Sequence, residues 1–156
     1  MSTTDSTELT APLSIPRLRA DLKGRVIAPG DEGYDQARMV VYGAIDRLPA
    51  VIVKVADVDD VLAVVRLARE TGLELAIRSG GHSGAGHSVS EGGIVLDLSD
   101  MKGIDIDVDG RTAWCETGLT AGEVTALNAT ASQPVVCAAM KSRLIQPRWT
   151  MTWSIP

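Results

Sequence analysis

Two rhythms of apolar positions organise the middle of this chain. "AVIVKV" at 50–55 is an unbroken run rich in β-branched residues and predicts a buried strand. The rhythm then lengthens: Val58, Val61, Leu62, Val65 and Ala68 recur at spacings of three and four and predict one apolar stripe of a helix. Asp57 stands where an N-cap belongs, and Gly72, just beyond Glu70-Thr71, suits a left-handed C-terminal cap. "LELAIR" at 73–78 predicts a second strand, so the order is strand, helix, strand.

The flanks add shorter elements. Upstream, Arg25 to Ala28 predicts a strand halted by Pro29-Gly30, and 31–38 a short helix with Asp31 or Asp35 near its start. Residues 1–20, rich in Ser and Thr at first, are expected to form a mobile lead-in. Downstream, "GGIVLDLS" (92–99) predicts another strand. "GIDIDVDG" (103–110) sets Ile104, Ile106 and Val108 against aspartates with the period of a half-exposed strand, and its Asp109-Gly110 pair signals a hairpin turn. "RTAWCETG" (111–118) is the expected return strand, and Thr120 with Glu123 forms a capping box for a helix from Ala121.

After Glu123 the pattern breaks. All 15 glycines lie at or before Gly122 and all 20 acidic residues at or before Glu123, while the last stretch holds two of the three tryptophans and no sustained period. Residues 128–156 are therefore expected to be a divergent, frameshifted tail, with a native extension as the alternative.

Composition narrows the partners. A net charge of −5 without a Lys/Arg cluster argues against nucleic acid. No stretch approaches the ~20 apolar residues of a membrane span, and no signal-peptide run opens the chain. Cys115 and Cys137 are too few for a disulfide framework, so a reducing, cytoplasmic setting is the default.

"RSGGHSGAGHS" (78–88) directly follows the second strand and gathers four glycines, three serines and both histidines. Glycines admit a ligand close to the backbone, and successive free N–H groups form an anion nest. The loop is a plausible pyrophosphate cradle, although a plain connection between strands explains the composition almost as well. It is not the dinucleotide fingerprint, which opens a helix, nor a P-loop. A metal site at His82 and His87 lacks further ligands, with only Glu91 near, and the serine-elbow spacing is absent.

The stretch "ELAIRSGGHSGAGHSVSEGGIVLDLSDMKGIDID", preceded by "AVIVKVADVDDVLAVVRLARETGL", resembles the FAD-binding domain of the vanillyl-alcohol oxidase/p-cresol methylhydroxylase (PCMH-type) flavoproteins, and among them the bacterial berberine-bridge-enzyme-like oxidoreductases. The similarity spans about residues 22–127. It implies an α+β fold with FAD as cofactor and partner. It also implies that Arg78, Ser79, Gly80, Gly81, His82 and Ser83 wrap the pyrophosphate while Gly86, His87 and Ser88 close the far side. His82 would carry a covalent bond to the flavin 8α-methyl, a role for which a neutral imidazole nitrogen is a competent nucleophile. His87 is expected to bond the loop backbone, and Gly118 to pass near the isoalloxazine. Neither cysteine matches the second flavin link of some members, and Cys115 reads as a small buried thiol.

The implied organisation is a first FAD-binding lobe at 21–89, the start of a second at 90–127, and the tail. Relatives continue with more of the FAD domain and a substrate domain that shapes the small-molecule pocket. The chain is therefore expected to be a truncated FAD-linked oxidoreductase that binds FAD weakly and does not turn over alone. A non-catalytic nucleotide- or phosphate-binding module, or a gene remnant, is the alternative.

Overall fold

The computed structural model describes residues 12–107, 109, 110, 112–130 and 136–140. Most of the segment expected to be a foreign tail (131–135 and 141–156) lies outside the described residues, as do residues 1–11 of the expected lead-in. Eleven elements follow in order: α1 (Ile15–Asp21), β1 (Arg25–Ile27), α2 (Tyr34–Arg38), β2 (Val51–Lys54), α3 (Val58–Thr71), β3 (Leu75–Arg78), β4 (Ile94–Asp97), β5 (Ile104–Asp107), β6 (Thr112–Cys115), α4 (Ala121–Thr130) and β7 (Val136–Met140). The fold is mixed α+β and carries two sheets, ordered β1-β2-β4-β3 and β5-β6-β7.

In the first sheet β2, β4 and β3 run parallel and β1 antiparallel. β2 and β4 lie inside the sheet, which is why their residues are apolar on both faces. One face packs Val51, Val53, Ile94 and Leu96 against α1 and α3. The other packs Ile52, Ala76 and Val95 against Ile27, Tyr34, Val40 and Val89.

The caps of α3 follow the sequence. The Asp57 side chain accepts from the Asp59 and Asp60 N–H groups, and Gly72 is left-handed at φ 66°. The expected stripe packs on the core at Val58, Val61, Val65 and Ala68, while the deepest line of the helix is Asp60, Val64, Ala68 and Thr71. Leu62 stands off that line. Asp60, only 2% exposed, accepts from the N–H groups of Lys23 (3.0 Å), Gly24 (2.8 Å) and Ala56 (3.0 Å). A buried carboxylate is tolerated where it satisfies several donors.

Three expectations change. Ile15–Asp21 is a helix started by Pro16, not a mobile lead-in, because Leu18 and Leu22 enter the core. β4 belongs to the first sheet, between β2 and β3, so the two sheets divide after Asp97 and not at residue 90. β5 is exposed on both faces, with Ile104 and Ile106 uncovered, because it is an edge strand with nothing over that face among the described residues.

The second sheet is built as a hairpin and a crossover. β5 and β6 pair antiparallel, and α4 returns the chain to β7, parallel to β6. The capping box of α4 is formed: the Thr120 N–H donates to Glu123 Oε2 (2.8 Å) and the Glu123 N–H to Thr120 Oγ1 (3.2 Å). With Lys102 beside it, the Glu123 carboxyl is held down at about 2.

Candidate functional site

The carboxyl ends of parallel strands are where open α/β sheets bind ligands, and the register there aligns four charges. Arg25 opposes Lys54, Lys54 opposes Asp97, and Asp97 opposes Arg78, forming one transverse row across the sheet. All four line a cavity of about 470 Å³, together with Gln36, Val41 and the start of the glycine loop at Ser79–Gly81.

Arg78, assigned to the cofactor by its place in the motif, is used by the sheet. Its Nη2 donates to Asp97 Oδ2 (2.6 Å) and to the Ala37 carbonyl (2.7 Å), and its Nε to Asp97 Oδ2 (3.1 Å). Both partners are buried, at 6% and 3% exposure, so the guanidinium is committed to docking α2 on the strand ends. Burial pushes the Asp97 carboxyl up, but hydrogen bonds from Ser99 and Arg78 outweigh it and hold the group below its ordinary range.

The loop after Arg78 leaves β3 without joining another ladder. Among the described residues, no backbone N–H from Ser79 to Ala85 has a hydrogen-bond partner. Seven consecutive N–H groups are thus left to water or a ligand, and successive backbone donors of this kind can hold phosphate oxygens. Gly81 takes φ 70°. Gly86 takes φ 76°, and a Cβ there would press on Ile45 at 3.1 Å. Beyond the free run the loop closes on itself, with the Gly86 N–H on the Ser83 carbonyl (3.2 Å) and the His87 N–H on Ser83 Oγ (3.1 Å).

The other named residues are placed as follows. His82 is exposed, the edge of its ring beside Gly80, where a Cβ would meet the imidazole at 2.7 Å. His87 is exposed and bonds the loop through its N–H; its ring makes no hydrogen bond among the described residues, contrary to the expected role. Ser88 is buried, and its Oγ has no partner among the described residues. Ser79 Oγ donates to the Thr117 carbonyl and ties the loop to the second unit. Gly118 is a glycine for packing: a Cβ would lie 2.4–2.7 Å from the Leu98, Ser99 and Met101 carbonyl oxygens. Cys115 is buried, and Cys137 is in β7.

Arg47 is a site residue that sequence reasoning missed. Its Nη1 donates to the Gly86 carbonyl (3.0 Å) and the Val89 carbonyl (2.8 Å), clamping the far limb of the loop. Its isolation in "IDRLPA" gives no local signal.

Asp105, Asp107, Asp109, Gly110 and Glu116 have the spacing of a calcium-binding loop. The hairpin disperses them: Asp107 caps the Gly110 N–H at the turn, while Glu116 accepts from the Gly103 N–H at the open end.

This geometry fits a family. A family model described as "FAD binding domain" matches residues 49–136, more than half of the chain, and the chain belongs to that family. The match extends past residue 127, into the segment expected to be foreign. The chain is 38% identical over 119 residues to (R)-6-hydroxynicotine oxidase of Paenarthrobacter nicotinovorans, covering 76% of this chain and 24% of that protein. It is 40% identical over 80 residues to berberine bridge enzyme-like 9 of Arabidopsis thaliana, covering 50% and 15%. The crystal structure of 6-hydroxy-D-nicotine oxidase from Arthrobacter nicotinovorans superimposes with a TM-score of 0.70 at 36% identity, over 76% of this chain and 25% of that one. The chain thus has the FAD-binding-domain fold of FAD-linked, berberine-bridge-enzyme-like oxidoreductases, and spans about a quarter or less of these relatives.

The residues present fit FAD. The unpartnered N–H run supplies donors, and its first residues, Ser79 to the left-handed Gly81, line a cavity of about 470 Å³.

Proposed function

We propose that this chain forms the pyrophosphate-holding part of an FAD-dependent oxidoreductase, with His82 as the covalent anchor of the flavin. The observation that carries the reading is the run of seven unpartnered N–H groups from Ser79 to Ala85, set on a strand end. These donors bind phosphate oxygens without needing a side-chain charge. Lys54 and Arg25 add positive potential at the cavity wall, while Arg78 keeps the strand ends and α2 together. When bound, FAD supplies the electron acceptor, and the protein supplies position and electrostatics.

His82 suits an anchor by its place. It follows the left-handed Gly81 at the centre of the free run, and its imidazole stands in solvent beside Gly80. Ser83, Gly86 and Ser88 shape the far limb. Gly118 supports the site through packing against the 98–101 turn.

In the whole oxidoreductase the substrate is a small molecule of alcohol, sugar or secondary-metabolite type. The matched part is about a quarter of the first relative's length. The two sheets correspond to two FAD-binding lobes. No helix among the described residues is long and apolar enough to cross a membrane, and the net charge of −5 disfavours nucleic acid.

The test is to express the chain with FAD supplied, precipitate it in acid, and measure flavin fluorescence in the washed pellet. Flavin retained by the wild type and lost in His82→Ala supports the anchor. Flavin that stays with His82→Ala, or a wild type that retains none after FAD reconstitution, contradicts it.

A further inference from the structure

We propose that Arg47 is a positioning residue for anion recognition, orienting Ser83 as a hydrogen-bond donor through a relay across the loop. The proposal rests on the pyrophosphate reading of that loop. Arg47 leaves the segment between α2 and β2, half-buried, and reaches the Gly86 and Val89 carbonyls at 3.0 and 2.8 Å. The peptide whose carbonyl it holds at Gly86 continues as the His87 N–H, which donates to Ser83 Oγ at 3.1 Å. A serine hydroxyl has one proton to give. With Oγ already accepting from His87, that proton is left to donate, and no partner for it occurs among the described residues.

The order is therefore guanidinium, carbonyl, peptide N–H, hydroxyl oxygen, hydroxyl proton. A charge at one end of such a chain polarises every link in the same sense. The cation strengthens the Gly86–His87 peptide as a donor, and that peptide in turn makes Ser83 Oγ–H a better donor toward an anion. The direction is fixed from behind: Arg38 Nη1 holds the Arg47 carbonyl (3.4 Å) and pairs with Asp46, so the Arg47 backbone is anchored before its side chain reaches the loop. Ile45, from the same segment, fills the space over Gly86 and fixes the left-handed turn. Arg47 has no route to the ligand in this scheme; Ser83 makes the contact.

The experiment uses the full chain and measures FAD affinity by quenching of flavin fluorescence, for wild type, Arg47→Ala, Arg47→Lys, Ser83→Ala and the Arg47→Ala/Ser83→Ala double variant. Each alanine substitution weakens FAD binding about tenfold, the scale of one hydrogen bond to a charged group. The double variant binds no more weakly than Arg47→Ala, because the two residues act through one contact. Arg47→Lys, which keeps the charge on a donor, recovers part of the loss. Circular dichroism and thermal midpoint without FAD check that the loop variants fold, and Arg47→Lys with Ser83→Ala carries the comparison if Arg47→Ala does not. Losses that multiply in the double variant, no recovery in Arg47→Lys, or wild-type affinity in Arg47→Ala overturn the assignment while leaving the pyrophosphate reading intact. A wild-type chain that binds no FAD overturns both.

Discussion

At Arg78 and Asp97 a side chain that heads a cofactor motif is held by the sheet beneath it. The two are buried, joined through Nε and Nη2, and the same guanidinium caps the Ala37 carbonyl. Removing one member of such a pair leaves a buried charge uncompensated, so Asp97→Asn is expected to cost about 3–5 kcal/mol at neutral pH by denaturant unfolding. The pH dependence has a definite sign. The Asp97 carboxyl titrates below its ordinary value in the folded chain, so below that value the unfolded state binds more protons than the folded one. Its contribution is complete above the ordinary carboxylate range, near pH 4, and is lost as pH falls through the folded value. Stability measured from pH 6 down to pH 2 falls less steeply in Asp97→Asn than in wild type; equal slopes would refute the assignment. The pairing was not legible beforehand. The motif made Arg78 conspicuous, but the partner lies 19 positions away and meets it only because β4 pairs with β3.

At the level of elements, α3 shows which features are local and which are not. Its ends were readable because each is decided within a few residues: Asp57 accepts from Asp59 and Asp60, and Gly72 turns left-handed. The capping box at Thr120 and Glu123 was readable for the same reason. The apolar stripe of α3 reaches the core at Val58, Val61, Val65 and Ala68, but the deepest line begins at an aspartate. Apolar counting takes in Leu62 and skips Asp60, which tertiary structure buries on the 23–24 and 56 backbone. Asp60→Ala is expected to destabilise the chain by roughly 3 kcal/mol, since buried donors left unsatisfied cost about 1–3 kcal/mol each and some regain water. Asp57→Ala loses mainly a cap and costs about 1 kcal/mol. Urea unfolding of the two variants tests that order.

For the whole molecule, strand order decides what the sequence could not. Placing β4 between β2 and β3 brings Arg25, Lys54, Asp97 and Arg78 into one row from four separate segments. The same order sets the glycine loop at the rim of the cavity that this row lines. The loop itself was legible, because its composition and its position after a strand are both local. Its clamp was not, since Arg47 reaches Gly86 across 39 positions. Whether the free N–H run grips a pyrophosphate is tested most directly by titrating the purified chain in parallel with FAD and with riboflavin, which has the same ring system but no phosphate. Saturable FAD binding with riboflavin at least tenfold weaker, roughly one charge-assisted hydrogen bond or more, is the predicted result. Equal affinity for the two, or no binding of FAD, would contradict it.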